Sequence, residues 1–174
     1  MFNTNKIFQP PSTIDNSVYN TSDEEKEIDK QILDYCKTLG MSDDVAKLFV
    51  SIAAVNTNNY TNDMWTKDNN PYGVIWLGTN GTKGTSVPGM PGNFFVKIEN
   101  VNAALLRAWN YCKANLQPAD LNNLEKIFSM FTANTSSLQS YVDVYDKRNK
   151  ETDWIMWGLI ISSVAYVMYK QGRS

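Results

Sequence analysis

The spacing of apolar residues predicts a mostly helical domain in the first part of the chain. Apolar side chains recur at helical intervals between residues 28 and 39, and Ser22 with Glu25 forms a capping-box sequence ahead of them. Gly40 is expected to end this helix. A second helix is expected to start at Ser42, and because it is apolar around most of its circumference, it is predicted to be central and buried.

Residues 60–99 have a different pattern, with dense glycine and two short β-prone runs at 72–77 and 94–98. The runs flank a turn-rich segment in which Asn80-Gly81 is a tight-turn signal. They predict a small β-hairpin or loop lobe. Further helices are then expected over 100–113, from Pro118 onward, and from about Ser136 toward the C-terminus.

Composition narrows the possible functions. The chain has 174 residues, enough for one ordinary domain, and its net charge of −2 argues against nucleic acid as a partner. Histidine is absent, which removes the commonest general base and most zinc sites, so no cofactor or metal is predicted. The two cysteines, Cys36 and Cys112, lie among helical apolar residues and are predicted to be buried free thiols.

Residues 154–169 form an uncharged run, WIMWGLIISSVAYVMY. At about 1.5 Å of rise per residue, it gives about 24 Å of helix. The run predicts a C-terminal membrane anchor and a single-pass membrane location, with a buried core helix or a helix packed between subunits as the alternative. Aromatic residues at both ends give the pattern of a membrane interface: Trp154, Trp157, Tyr166 and Tyr169.

Three parts are therefore expected along the chain. Residues 1–21 are polar and contain two adjacent prolines, which predicts an extended N-terminal arm. Residues 22–150 form the helical domain with its β lobe. Residues 151–174 form the predicted transmembrane helix.

Two strings within the domain stand out. Asn56-Thr57-Asn58 and Tyr60 follow the predicted central helix, and Asn69-Asn70-Pro71-Tyr72-Gly73 comes soon after. Together they resemble the glucosaminidase-type domains of the lysozyme superfamily, found in phage and bacterial peptidoglycan hydrolases. In that family an apolar helix ends in a catalytic Glu, and an Asn-Asn-x-aromatic-Gly motif forms the floor of the glycan cleft. The resemblance implies a mainly α, lysozyme-like fold with a small β-hairpin lobe.

The resemblance fails at the catalytic position, where Asn56 stands in place of the family's Glu. Glycoside cleavage needs a carboxylic acid to protonate the leaving oxygen, and an amide cannot deliver that proton. The resemblance therefore implies a pseudoenzyme. Asp63 and Glu99 remain as candidate displaced acids, although each is explained more simply as a solvated loop or cap residue.

Side chains around the implied cleft are candidates for sugar binding. Aromatic faces pack on sugar rings, and amides hydrogen-bond hydroxyl and acetamide groups. The alternative is that Tyr72 and Trp76 belong to the core and that the asparagine pair closes a turn. The candidate glycan-binding residues are Trp65, Asn69, Asn70, Tyr72, Gly73 and Trp76.

Three functions follow as hypotheses. The first is a membrane-anchored lysozyme-like module, a bacteriophage virion component that contacts peptidoglycan without efficient cleavage. The second is a structural virion protein that links an internal membrane to the capsid. The third is an active peptidoglycan hydrolase with a displaced acid, used in cell-wall penetration or lysis. The expected partners are a lipid bilayer, peptidoglycan, and capsid or other virion proteins, with no nucleic acid.

Overall fold

Helices supply most of the regular structure in the computed structural model, which describes residues 14–132 and 137–148. The β-strands are β1 (Thr82–Ser86) and β2 (Phe94–Lys97). Two 3-10 turns lie at Asn16–Tyr19 and Pro118–Asp120. The α-helices are α1 (Asp23–Thr38), α2 (Asp43–Asn56), α3 (Asp63–Thr66), α4 (Val101–Asn115), α5 (Leu124–Ser129) and α6, which covers residues 138–148.

The first helix, α1, begins and ends where the sequence predicts. The Ser22 hydroxyl accepts a hydrogen bond from the Glu25 N–H at 3.2 Å, and the Glu25 carboxylate accepts one from the Ser22 N–H at 2.6 Å. The capping box thus satisfies two backbone donors at the start of the helix. After the helix, Gly40 has φ +78°, a left-handed conformation that glycine adopts at little cost.

The second helix, α2, lies at the centre of the core, as predicted. All of its residues from 48 to 56 are buried. Phe49 makes edge-on ring contacts with Tyr72, Trp109 and Phe131 at centroid distances of 5.4, 6.1 and 5.4 Å. Because these rings come from three other parts of the chain, α2 connects the segment after α3 with α4 and the segment after α5.

The small sheet differs from the predicted hairpin. Strand β1 pairs antiparallel with β2, with an irregular register between them. The predicted strand at 72–77 contributes only an isolated bridge from Ile75 to Phe95. The reason is local: the Asn80 side chain accepts a hydrogen bond from the Leu77 N–H at 2.8 Å and donates one to the Ile75 carbonyl at 2.9 Å. These bonds curl the chain before a strand can extend, so the Asn80-Gly81 turn precedes β1 instead of joining the two strands.

The predicted fourth helix is broken in two. Pro118 opens a 3-10 turn, and α5 starts only after Asn123, whose side chain accepts a hydrogen bond from the Lys126 N–H at 3.1 Å. An asparagine at a helix N-cap competes with continued helix through this bond. The helix predicted over 100–113 is confirmed as α4, with Asn100 capping it.

The N-terminal arm is described only from residue 14, and residues 1–13 lie outside the described ranges. The Asp15 carboxylate accepts a hydrogen bond from the Ser17 N–H at 2.8 Å and so caps the short turn Asn16–Tyr19. Val18 in this turn is buried in the main core. The described part of the predicted arm is therefore packed on the helical domain.

The predicted transmembrane helix is contradicted. Within residues 14–132 and 137–148, no helix is both long and apolar enough to cross a bilayer. Residues 151–174, on which that prediction rested, lie outside the described ranges. The fold class is corrected to a mainly helical domain with a two-stranded sheet, and neither the anchor nor a single-pass membrane location is carried further.

Both cysteines are buried free thiols, as predicted. Cys36 belongs to α1 and Cys112 to α4. Burial raises the pKa of each thiol to about 12. Both are therefore neutral at physiological pH and act as small apolar side chains.

Candidate functional site

Asn56, at the position of the family's catalytic Glu, is the last residue of α2 and is 6 % exposed. Its side-chain NH₂ donates a hydrogen bond to the Pro71 carbonyl at 3.0 Å. Its backbone carbonyl accepts a second bond, from the Asn62 side chain at 2.8 Å. The family's Glu, ionised at this position, could not make the bond to the Pro71 carbonyl, because a carboxylate has no proton to donate. The amide at this position thus ties the end of α2 to the Asn-Asn-Pro-Tyr-Gly string.

A pocket of about 470 Å³ lies on a different surface, between residues 72–77 and one face of α4. Tyr72 and Phe131 also line it, and both are buried core residues. Asn56 does not belong to its walls. The α4 residues that line the pocket recur at helical spacing: Arg107, Ala108, Asn110, Tyr111, Ala114 and Asn115.

The pocket has mostly apolar walls with polar groups from α4. The Asn110 side chain and the Tyr111 hydroxyl make no hydrogen bond with any residue in the described ranges, so both are available to a ligand. Burial raises the pKa of Tyr111, which keeps its hydroxyl a donor. Among the described residues that line the pocket, none is acidic and Arg107 is the one with a charge. The arrangement can bind a ligand, but its described residues offer no carboxyl group for acid catalysis.

Two of the candidate glycan-binding residues, Tyr72 and Gly73, do line the pocket. The Tyr72 ring forms part of the core against Phe49, and its hydroxyl is buried without a hydrogen-bond partner among the described residues. Gly73 has φ +68°, which allows the sharp bend after Tyr72. These two residues therefore build the wall of the pocket and offer a ligand mainly apolar surface.

The asparagine pair holds the loop together. The Asn70 side chain donates to the Val74 carbonyl at 2.8 Å and to the Val96 carbonyl at 3.1 Å, and it accepts from the Val74 N–H at 2.9 Å. The Asn69 side chain donates to the Ile98 carbonyl at 3.1 Å. These contacts match the alternative in which the pair closes a turn, because the amide NH₂ groups bond the backbone.

The two candidate tryptophans, Trp65 and Trp76, are not among the residues that line the pocket. Trp65 packs against Tyr60 at a centroid distance of 4.7 Å. The Trp76 ring N–H donates to the Gly81 carbonyl at 2.9 Å, and the Lys83 ammonium lies 5.6 Å from the Trp76 ring. Trp65 therefore packs on the turn after α2, and Trp76 holds the turn that precedes β1.

The candidate displaced acids are also outside the pocket. Asp63 begins α3 and forms an exposed ion pair with Lys67 at 2.9 Å. Glu99 is exposed just before α4. Within the described ranges, no cluster of three or more acidic or cysteine side chains could hold a metal ion. Among the residues that the structure describes, no pair of carboxylates therefore lies at the pocket.

Sequence reasoning missed a buried charged cluster around Arg148, which is 1 % exposed. Its guanidinium donates two hydrogen bonds to the Asp29 carboxylate, at 2.8 and 3.1 Å, and a third to the Val18 carbonyl at 2.7 Å. The Tyr60 hydroxyl also donates to Asp29. Burial raises the pKa of Asp29, although the Arg148 and Tyr60 hydrogen bonds act to lower it. One signal was available, since Asp29 lies on the apolar stripe of α1, where a carboxylate needs a partner.

The cluster secures an unusual stretch of backbone directly after α2. Asn58, Asn59 and Tyr60 have φ values of +48°, +54° and +63°, a left-handed conformation that is costly for residues with a Cβ. The Asn59 side chain donates to the Ser17 carbonyl at 2.8 Å and accepts from Arg148. The strained turn is held in place because the Asn59 and Tyr60 side chains belong to the buried network.

Searches with this chain found no matching protein-family model, no matching curated protein and no matching solved structure. The resemblance to glucosaminidase-type domains therefore rests on the two sequence strings alone. It stays a prediction, and so does the virion origin that was inferred with it.

Proposed function

We propose that this domain is a non-catalytic binding module for N-acetylated cell-wall glycan, with the pocket between residues 72–77 and α4 as its binding site. The observation that carries the proposal is the composition of that pocket. Its walls are apolar and aromatic, asparagine and tyrosine groups are available on α4, and the described lining residues include no carboxyl group.

The shape and chemistry of the pocket suit a sugar. Sugar rings present apolar C–H faces and polar edges, so they bind where aromatic and aliphatic surface lies beside hydrogen-bonding groups. From Arg107 to Asn115 the lining face of α4 is about 12 Å long at the usual helical rise. The free Asn110 amide offers both donors and acceptors along this length.

The proposed lack of glycan cleavage follows from the positions of the candidate catalytic residues. The Asn56 side-chain NH₂ bonds the Pro71 carbonyl, and Asn56, Asp63 and Glu99 all lie outside the pocket lining. General acid catalysis typically contributes about 10²–10⁴-fold to such a reaction. Without a carboxyl group beside the ligand, the proposed role is retention on the cell wall.

The proposal predicts that blocking the pocket weakens binding to cell walls. Ala114→Trp places an indole on the exposed pocket face of α4, and Lys113→Trp places one on the adjacent residue, which does not line the pocket. In co-sedimentation with purified peptidoglycan, the affinity of Ala114→Trp is expected to fall about tenfold or more. Lys113→Trp is expected to bind like the wild type, because its indole points elsewhere on the helix.

The same assay measures cleavage. Wild-type protein is expected to release no soluble glycan fragments during the incubation. Release of fragments above background would contradict the non-catalytic assignment, and equal binding by the two tryptophan variants would contradict the location of the site.

A further inference from the structure

The segment 73–77, which forms one wall of the pocket, is also attached to the small sheet. Two backbone hydrogen bonds join it to β2, one from the Trp76 N–H at 2.8 Å and one to the Val74 carbonyl at 2.9 Å. Ile75 lies between these bonds as the bridging residue. In an antiparallel bridge of this kind, the N–H and C=O of the bridging residue point away from the partner strand. The backbone polar groups of Ile75 therefore lie on the open edge of the sheet.

Two backbone groups on this edge have no partner in the described part of the chain. Ile75 is 4 % exposed, and its side chain packs with Met64, Val87 and Phe95. Within the described ranges, nothing accepts a hydrogen bond from the Ile75 N–H and nothing donates one to the Gly73 carbonyl. Nearly all buried backbone donors in folded proteins are paired. The Ile75 N–H and the Gly73 carbonyl thus point to a ligand that both donates and accepts.

The neighbouring position on the same edge shows which chemical group fits. There the Asn80 side chain accepts a hydrogen bond from the Leu77 N–H at 2.8 Å and donates one to the Ile75 carbonyl at 2.9 Å. Its amide pairs with the edge as one residue of a parallel strand would, since such a residue bonds a C=O and an N–H two positions apart. The Gly73 carbonyl and the Ile75 N–H are the next such pair along the edge.

We propose that the pocket also binds an extended peptide, one residue of which donates its N–H to the Gly73 carbonyl and accepts the Ile75 N–H. Addition of a strand to a sheet edge is an established mode of peptide recognition. The peptide runs parallel to 73–77, because close antiparallel pairing needs both groups of one residue and the Ile75 carbonyl is already bonded to Asn80. The proposal does not rest on glycan binding, although the two ligands would compete for one pocket.

The rest of the pocket defines the side chains of the peptide. Leu77 is 45 % exposed, and together with Ala108 and Ala114 of α4 it offers apolar surface. At the rim, Arg107 donates to the Asn80 carbonyl at 2.9 Å and has no ion pair with a described carboxylate. Because the described lining holds no acid, charge complementarity favours an acidic residue in the partner. The partner is therefore an extended segment with apolar side chains and one acidic side chain.

The test is an NMR titration of the ¹⁵N-labelled full chain with the acetylated and amidated peptide LVEVL. The Ile75 amide proton is expected to shift downfield, because it gains a hydrogen bond to the peptide. The Leu77 amide is the internal control. It is already bonded to Asn80, so its shift is expected to change little.

Peptides that carry a methyl group on one backbone nitrogen at a time test the pairing itself. Methylation of the nitrogen that bonds the Gly73 carbonyl is expected to abolish the Ile75 shift. Methylation of the next residue is expected to leave that shift in place, because successive N–H groups of a strand point to opposite sides.

The acidic residue is tested with LVQVL, in which glutamine replaces glutamate. The wild type is expected to bind LVEVL about threefold to tenfold more tightly than LVQVL, and Arg107→Gln is expected to bind both equally. Lys113→Gln is the matched control and is expected to keep the preference, since it removes a positive charge from α4 outside the pocket. Thermal unfolding of both variants checks that the fold is intact.

Each other outcome overturns a definite part of the argument. Peptide binding without a shift at Ile75, or equal binding of all the methylated peptides, overturns the edge pairing. Equal binding of LVEVL and LVQVL by the wild type overturns the role of Arg107. If N-acetylglucosamine trisaccharide shifts Ile75 and the peptides do not bind, the edge recognises the sugar's acetamide, and the inference falls while the glycan-binding function stands. If the peptide binds and the trisaccharide does not, only the proposed function falls.

Discussion

Arg148→Met is expected to destabilise the domain by about 3–5 kcal/mol, the usual range when one partner of a buried ion pair is removed. Asp29 would remain buried, and among the described residues only the Tyr60 hydroxyl would still donate a hydrogen bond to it. The Val18 carbonyl and the Asn59 side chain would lose donors as well. Urea denaturation followed by far-UV circular dichroism measures the loss as a lower free energy of unfolding.

Lys30→Met is the control for this substitution. Lys30 forms an ion pair with Asp34 at 2.7 Å, but both side chains are more than half exposed. Exposed pairs contribute about 0–1 kcal/mol, so this variant is expected to unfold close to the wild type. Equal stability of Arg148→Met and Lys30→Met would contradict the buried cluster.

The double variant Asp29→Leu/Arg148→Met separates the cost of an unpaired charge from the value of the pair. With both charges removed, no ion stays buried, and stability is expected to recover toward the wild type. Recovery is expected to be partial because the Val18 carbonyl still lacks its donor. A double variant that is less stable than Arg148→Met would show that the pair itself is strongly stabilising.

Asn56→Glu, the substitution that rebuilds the family's catalytic residue, is expected to destabilise the domain by about 3 kcal/mol or more without producing lysis. The introduced carboxylate faces the Pro71 carbonyl, loses the amide's hydrogen bond and is buried without a cation. Chemical denaturation measures the stability, and clearing of a peptidoglycan suspension measures activity. Clearing by the variant would contradict the assignment of Asn56 to a structural role.

The destabilisation by Asn56→Glu is expected to depend on pH. Burial raises the pKa of a carboxyl group above its unfolded value of about 4.3. The penalty is therefore complete above the raised folded pKa, and it disappears as the pH falls below about 4.3, where the carboxyl is protonated in both states. Unfolding curves at pH 7 and pH 4 test this. A difference from the wild type that is the same at both pH values would exclude a buried charge as the cause.

Local signals in the sequence predicted the helical part of the fold well. The Ser22 and Glu25 capping box, the apolar circumference of α2 and the Asn100 cap of α4 each act within a few residues, so their outcome can be deduced from neighbouring positions. The sheet was harder to predict from the sequence, because Asn80 redirects the chain through side-chain hydrogen bonds that turn propensities do not show.

The pocket and the buried cluster could not be predicted, because they form from residues that lie far apart in the sequence. Asp29 and Arg148 are 119 positions apart, and no periodicity connects them. The pocket joins α4 to residues 72–77 and Phe131. The resemblance drew attention to Tyr72 and Gly73, which do line it, but the α4 face with Arg107 and Tyr111 follows only from the packing of α4 beside the loop.

The most direct test of the central claim is an NMR titration of the ¹⁵N-labelled protein with N-acetylglucosamine trisaccharide. The account predicts chemical-shift changes concentrated at the amides of 73–77 and 107–115, the two walls of the pocket. It predicts no cleavage of the trisaccharide over the course of the titration. Shift changes centred on Asn56 to Tyr60, or none at saturating sugar, would contradict the account.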